Sequence, residues 1–324
     1  MPKFKTSSAR ENLLRRVRRQ RLKYITILPS LITILNGVCG FAAIFFTGKG
    51  AAAGETQFSY HRLQLPYFAM AGYMILLAMI ADVLDGRLAR MSKSTSSFGG
   101  QLDSLCDIIS FGVAPAFLAL SLMEHKIAEF TALNPLLESF LERFAWLTAA
   151  IYLSCAAIRL ARFNVENEED ESAHMSFMGL PSPAAAGVIV SLVIFHQESL
   201  PDLVAKSHLA YVIFENTISY SMPFLLLATA TLMVSRVRYQ HLLNQYLRGK
   251  KPFAYLIRAL LLLGLIIWSR QAALALIFCI FAVSGLAKWL YYRVIRRRSY
   301  PPLGVGVPSL TTTERSDTNI GDNI

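Results

Sequence analysis

Residues 82–107 read DVLDGRLARMSKSTSSFGGQLDSLCD and place four aspartates between two long apolar segments. Asp82 and Asp85 lie at the end of the segment before this stretch, and Asp103 and Asp107 lie at the start of the segment after it. Within a membrane a carboxylate costs about 2.5–3.5 kcal/mol even on the lenient insertion scale, and neighbouring carboxylates repel one another. Such a grouping is typical of a functional site between two helix ends.

The chain as a whole is strongly apolar. Of its 324 residues, 54% are hydrophobic and 16% are charged, and the mean hydropathy is +0.43. Soluble domains carry about 25% charged residues, so this composition excludes a cytosolic globule, a disordered chain and a collagen-like fibre. In a soluble protein the net charge of +11 would indicate nucleic acid. In a membrane protein it indicates basic cytoplasmic loops, so we expect an all-α polytopic membrane protein with no nucleic-acid partner.

A transmembrane helix needs about 20 largely apolar residues. Eight segments meet this requirement: 24–46, 66–88, 101–122, 145–165, 181–197, 208–234, 253–269 and 272–291. With a cytoplasmic N-terminus, 25 of the 32 basic residues lie in cytoplasmic segments and six lie outside. This positive-inside bias predicts that both termini and the aspartate site face the cytoplasm. The expected location is a bacterial inner membrane.

The four aspartates supply the donor set of a divalent-cation site. On a helix, at about 100° per residue, Asp82, Asp85 and Gly86 share one face, and positions 99, 103 and 107 form one stripe. Carboxylate oxygens are preferred ligands of hard cations, and Mg²⁺ pairs them with substrate phosphates. Two cations about 3.5–4 Å apart form a clamp used in phosphoryl displacement. The alternative is a divalent-cation transporter, which would spread its carboxylates through the membrane depth.

The spacing of this stretch resembles a known motif. It reads Asp82-x2-Asp85-Gly86-x2-Ala89-Arg90-x8-Gly99-x3-Asp103-x3-Asp107 and is similar to the CDP-alcohol phosphotransferases at all eight fixed positions. The resemblance implies a homodimeric protein with a six-helix catalytic core. It also implies that Asp82, Asp85 and Asp103 bind two divalent cations, Mg²⁺ or Mn²⁺, and that Asp107 is the general base and also approaches a metal. The residues implied to surround the nucleotide and phosphates of the donor are Gly86, Ala89, Arg90, Ser96 and Gly99.

Further segments resemble the membrane-embedded phosphatidylserine synthases of that family. They are Ser110-Phe-Gly-Val-Ala-Pro115, Arg159-Leu-Ala-Arg162-Phe-Asn164, Phe177-x-Gly179-Leu-Pro181-x-Pro183-Ala-Ala-Ala186 and Leu232-Met-Val-Ser-Arg236. This implies that CDP-diacylglycerol and L-serine are converted to phosphatidylserine and CMP in phospholipid biosynthesis. Choline, inositol or glycerol phosphate as acceptor, or an archaeal-type donor, remain alternatives. Candidate acceptor or phosphate contacts are Arg159, Arg162 and Thr33; for each arginine a purely topological role is an equal alternative.

The resemblance and the spans together predict five parts of the chain. A basic juxtamembrane segment, 1–23, precedes the catalytic core, 24–235. A basic loop, 236–252, then leads to two additional spans, 253–292, and to a tail, 293–324, which is expected to be disordered. The glycine and prolines at 179–183 are interpreted as a tight helix entry, because proline suits a first helical turn.

Cysteine and histidine contribute no further metal-site motif. No group of these residues has the spacing of a metal site. The four cysteines lie in apolar runs, so we expect small buried hydrophobes rather than disulfides. The six histidines are expected at solvated or interfacial positions.

Overall fold

The computed structural model describes residues 30–52, 57–60, 63–92, 97–130, 135–169, 177–199, 208–235, 237–239 and 269–291. Three of the predicted parts lie wholly or mostly outside these residues: the basic segment 1–23, the loop 236–252 and the tail 293–324. The predicted seventh span, 253–269, lies outside them except for its last residue.

The described residues form eight α-helices. They are α1 (Ser30–Ala51), α2 (Tyr67–Ser92), α3 (Ser97–Asp107), α4 (Ala114–Phe130), α5 (Pro135–Glu169), α6 (Ser182–Ile194), α7 (His208–Val234) and α8 (Arg270–Leu290). A π-helical turn at Ile108–Val113 joins α3 to α4, and a second at Phe195–Ser199 extends α6.

Two short antiparallel strand pairs accompany the helices, and the sequence did not predict them. Strand β1 (Gln57–Tyr60) pairs with β2 (Leu63–Pro66). Strand β3 (Phe177–Met178) pairs with β4 (Arg238–Tyr239). The second pair joins the chain before α6 to the chain after α7.

Six helical segments of the described chain are long and apolar enough to cross a membrane. They are Ser30–Ala51, Tyr67–Leu88, Phe98–Ile127, Pro135–Val165, Val212–Val234 and Arg270–Leu290. This confirms the predicted class, an all-α polytopic membrane protein. The segments correspond to predicted spans one to four, six and eight, although the fourth begins at Pro135 rather than at 145 and its helix continues to Glu169.

The predicted fifth span, 181–197, corresponds to α6 with its π-helical extension, which is not among these six segments. At about 1.5 Å per residue the two together measure ~27 Å, close to the thickness of a bilayer core. The helix is apolar on every side, which is the pattern of a helix buried all round, and it packs against α2, α4, α5, α7 and α8. Its residues from Ala185 to Ser191 are all buried. Large apolar side chains on the outer helices face outward, as expected against lipid, including Phe41, Trp146, Phe224 and Ile280.

The π-helical turn after Asp107 has a local cause in Pro115. A proline inside a helix has no N–H to donate, and its ring clashes with the carbonyl four residues earlier. That carbonyl belongs to Phe111, and it accepts a hydrogen bond of 3.1 Å from the buried hydroxyl of Tyr152 on α5. Within a membrane every backbone polar group must be satisfied by the protein. The hydroxyl of Tyr152 therefore supplies the hydrogen bond that Pro115 cannot donate to the carbonyl of Phe111.

Helix α1 lies directly on the turn that follows Asp107. A Cβ atom at Gly40 would lie 2.4 Å from Ser110 Oγ, and one at Gly37 would lie 2.9 Å from Cys106 Sγ. Small residues permit this close approach of helices in a membrane. The two glycines therefore fix the distance between α1 and the segment that carries Asp107.

Candidate active site

Three aspartates converge from two helices. Asp82 and Asp85 lie near the end of α2 and Asp103 lies in α3, and each offers a carboxylate oxygen within 4.8 Å of those of the other two. One oxygen of Asp85 and one of Asp103 are buried without a hydrogen-bond partner among the described residues. Like charges at this separation are unfavourable, and a divalent cation would remove both the repulsion and the unsatisfied oxygens. The three carboxylates therefore fit a divalent metal.

Asp107 lies one helical turn after Asp103, beside this cluster. Its charge interacts with those of Asp82 and Asp103. Its Oδ1 accepts a hydrogen bond of 2.9 Å from the Nδ2 of Asn36 on α1. Asn36 is not among the site residues predicted from the sequence, although an amide in the middle of an apolar span is a signal of such a role.

The predicted contact Thr33 lies within the site. It is buried on α1, one turn before Asn36. Its hydroxyl hydrogen-bonds the carboxylate of Asp85. The structure therefore brings Thr33 to a residue of the carboxylate cluster.

The predicted donor contacts differ in how far the structure describes them. A Cβ atom at Gly86 would meet nothing within 4 Å in the part of the chain that the structure describes, so helix packing there does not explain this glycine. Open space on the aspartate face is what a ligand needs to approach the backbone closely. Gly99 lies half-buried in the first turn of α3. Ala89 and Arg90 lie in the last turns of α2, but their side chains are outside the described part, as is the whole of Ser96.

Arg159 is a cation that the fold brings into the site. Its charge interacts with those of Asp107 and Asp82. Its Nη1 donates a hydrogen bond of 2.6 Å to Ser182 Oγ, and its Nε is buried without a partner among the described residues. Arg162, one turn later on α5, has an exposed side chain. The two arginines of the motif therefore occupy different environments.

The segment before α6 places Ser182 beside Arg159. Gly179 has a φ of +82°, a left-handed conformation that favours glycine. Its N–H donates to the carbonyl of Val237 at 2.8 Å, and the N–H of Leu180 donates to that of Leu232 at 2.9 Å. The predicted helix entry at 179–183 is confirmed, and it is held by the last turn of α7 and by the segment that follows it.

A polar contact ties α3 to α5 at the level of the site. Asn164 Nδ2 donates to Ser104 Oγ at 2.8 Å, and Ser104 directly follows Asp103. The last residue of the Arg159–Asn164 motif thus positions the helix that carries Asp103.

A second polar group lies at the opposite end of the helices. Glu198 Oε2 accepts hydrogen bonds from the Tyr73 hydroxyl at 2.8 Å and from Gln271 Nε2 at 2.7 Å. His196, in the same π-helical turn, is buried, so the expectation of a solvated or interfacial histidine is wrong at this position. The four cysteines are free and are buried or half-buried, as expected. The hydrogen bonds of Glu198 to Tyr73 and Gln271 anchor α8 to α2 and α6.

The sequence profile described as CDP-alcohol phosphatidyltransferase matches residues 26–218, more than half of the chain. The chain belongs to this family. It is 29% identical over 269 residues to the CDP-diacylglycerol–serine O-phosphatidyltransferase of Helicobacter pylori, a match that covers 83% of this chain and 93% of that protein. Proteins of the same name from Saccharomyces cerevisiae and Methanocaldococcus jannaschii are 33% identical over 170 residues and 32% identical over 169 residues. These two matches cover 51% and 52% of this chain, and 52% and 61% of the respective relatives.

Within this CDP-alcohol phosphatidyltransferase the matched segment extends from before α1 into α7. It contains the carboxylate cluster, Asp107, Asn36 and Arg159. Helix α8 lies beyond it, although it packs against α6.

Proposed function

We propose that this protein transfers the phosphatidyl group of CDP-diacylglycerol to L-serine, giving phosphatidylserine and CMP. The observation that carries the proposal is the convergence of three carboxylates of the family motif, next to Asp107 and to a half-buried arginine. The relatives with which the chain shares 28–33% identity bear the name of this activity, and the H. pylori protein does so over nearly its whole length.

The carboxylates of Asp82, Asp85 and Asp103 would hold the divalent metal, for which we propose two ions of Mg²⁺ or Mn²⁺. Bound there, the ions would neutralise the diphosphate of the donor and would stabilise the charge that develops on the leaving CMP. The unpartnered oxygens of Asp85 and Asp103 support this assignment, because a buried carboxylate oxygen is costly unless it is paired or bound to a metal.

We assign donor binding to the open face around Gly86. The missing side chain leaves room for the diphosphate or cytidine against the end of α2. Ala89, Arg90, Ser96 and Gly99 complete the proposed donor contacts, as the family motif implies.

We assign acceptor binding chiefly to Arg159. A guanidinium forms strong, charge-assisted hydrogen bonds with a carboxylate, and serine carries one beside its reacting hydroxyl. The bond to Ser182 holds the side chain next to Asp107, and its Nε still has no partner among the described residues. Arg162 remains a second candidate for anion binding at the exposed rim, and Thr33 orients Asp85.

In the proposed reaction Asp107 accepts the proton of the serine hydroxyl. The serine oxygen forms a bond to the phosphorus that carries diacylglycerol. The bond from that phosphorus to the bridging oxygen breaks, and CMP departs with the electron pair. The outcome is one new phosphodiester and one CMP for each donor consumed.

We further propose that the site opens to the cytoplasm, that both termini are cytoplasmic and that the protein is a homodimer in a bacterial inner membrane. The basic residues support this orientation through the positive-inside rule. The transporter alternative fits less well, because the cluster of acids gathers at one end of the described helices rather than along a path.

The decisive experiment is CMP release by the purified protein supplied with CDP-diacylglycerol and Mg²⁺ or Mn²⁺. We expect release that depends on serine and yields phosphatidylserine. Choline, inositol and glycerol phosphate serve as competing acceptors, and Asp103→Asn as the inactive control. Release with another alcohol but not with serine would overturn the assigned acceptor. The absence of release with every alcohol would overturn the transferase itself.

A further inference from the structure

Asn36 is a fully buried amide whose polar atoms meet the site. Asn36 has 0% exposure on a largely apolar helix. Its Nδ2 donates to Asp107 Oδ1 at 2.9 Å, while its Oδ1 is buried without a partner among the described residues. Burying an amide costs free energy unless its groups are hydrogen-bonded. A residue chosen for packing alone would be apolar here, so the bond to Asp107 is the feature that accounts for Asn36.

The packing of α1 sets this bond through the backbone. Gly37 and Gly40 let α1 approach Cys106 and Ser110 more closely than any side chain would permit. Ser110 Oγ also donates to the backbone carbonyl of Asn36 at 2.9 Å. The backbone of Asn36 is thus held against the segment that follows Asp107, and the side-chain N–H of Asn36 meets Asp107 at a fixed position.

A neutral donor has a particular advantage next to a general base. A lysine or arginine bonded to Asp107 would also orient it, but the positive charge would stabilise the ionised form and weaken it as a proton acceptor. An amide N–H holds one carboxylate oxygen without adding charge. The arrangement therefore orients Asp107, and the amide perturbs the carboxylate less than a directly bonded cation would.

We propose that Asn36 is the positioning residue of Asp107 in the transfer reaction. The inference deepens the proposed function and rests on it. Asn36 acts through Asp107 rather than on the metal or on either substrate.

The test is a double-mutant cycle on CMP release, with Asn36→Leu, Asp107→Asn and the pair. Loss of the partner that orients a site residue typically costs about 10–100-fold, and loss of a general base costs about 10²–10⁴-fold. We expect Asn36→Leu to lower kcat about 10–100-fold and to leave the KM for CDP-diacylglycerol near its original value. Because Asn36 acts through Asp107, the double variant should be no slower than Asp107→Asn alone.

Two controls separate positioning from folding and from metal binding. Thr148→Val removes a different buried polar group, a hydroxyl that bonds its own helix on α5, and should leave kcat unchanged. Mn²⁺ affinity, measured by electron paramagnetic resonance, should be the same in Asn36→Leu as in the unaltered protein. Asn36→Ala, which cannot overpack the site, replaces the leucine variant if that variant does not fold.

Three results would overturn the inference. They are a double variant slower by the product of the single effects, unchanged kcat in Asn36→Leu, and weakened Mn²⁺ binding with the rate restored by excess Mn²⁺. If serine is not the acceptor, the cycle is measured with the alcohol that supports CMP release, so a wrong acceptor is distinguished from a wrong role for Asn36. No release with any alcohol would overturn both.

Discussion

Replacing Arg159 by glutamine tests the acceptor site most directly. The change removes the positive charge beside Asp107 and Asp82 but keeps a side chain that can hydrogen-bond. A hydrogen bond to a charged group contributes about 1.5–3 kcal/mol. Since every 1.4 kcal/mol is a tenfold change in an equilibrium constant, the KM for serine should rise about 10- to 150-fold. The proposed contact between Arg159 and the serine carboxylate is present in both the ground state and the transition state, so kcat should fall less than KM rises.

The assay is steady-state CMP release, with serine varied at saturating CDP-diacylglycerol and the reverse. Arg143→Gln provides the matched control, because Arg143 is exposed on the same helix, and it should leave both KM values unchanged. Ser182→Ala keeps the guanidinium but removes its 2.6 Å anchor. The charge of the guanidinium remains and only its orientation is lost, so the effect should be smaller, about 1 kcal/mol, or about a fivefold rise in the KM for serine.

Either of two results would refute the reasoning. An unchanged KM for serine in Arg159→Gln would exclude the arginine from acceptor binding and leave it a topological role. A rise confined to the KM for CDP-diacylglycerol would assign the guanidinium to a donor phosphate instead.

Three other predictions concern the metal, the topology and the donor face. Asp103→Asn should abolish transfer while leaving expression and the melting temperature intact; substantial turnover at saturating Mn²⁺ would contradict a role as ligand. A reporter fused at Ser199 should be extracytoplasmic and one at Gly249 cytoplasmic, and labelling of both from one side would exclude the proposed topology. Gly86→Ala should weaken donor binding at unchanged melting temperature, because the added Cβ would meet no atom of the described residues within 4 Å. As a contrast, Gly40→Ala should destabilise the fold by about 1–3 kcal/mol through overpacking. A lower melting temperature for Gly86→Ala would count against the open donor face.

The aspartate cluster could be predicted from the sequence because its members are local. Asp82 and Asp85 share a helix face by spacing alone, and the short connection to Asp103 leaves the two helix ends few ways to lie apart. The apolar runs likewise predict most of the helices. These features depend on periodicity and composition, which a single sequence contains.

The partners of the cluster depend on contacts between distant parts of the chain. Asn36 meets Asp107 across 71 positions, and only the packing of Gly37 and Gly40 brings them together. Arg159 and Arg162 look alike in the sequence, and the position of Ser182 at the start of α6 distinguishes them. The strand pair of β3 and β4 was not predicted either, because a two-residue strand is too short to show an alternation of polar and apolar residues.

The contact between α6 and α8 has a consequence for the biogenesis of the protein. A Cβ atom at Gly187 would lie 2.2 Å from the ring of Phe278, so α8 fills a groove that the central helix leaves open. Helix α8 is the last of the described helices to leave the ribosome. Until it has entered the bilayer, Gly187 has no protein neighbour from α8, and Glu198 lacks its bond to Gln271. The centre of the bundle, including the helix that begins with Ser182, can therefore reach its final packing only after this helix has been inserted.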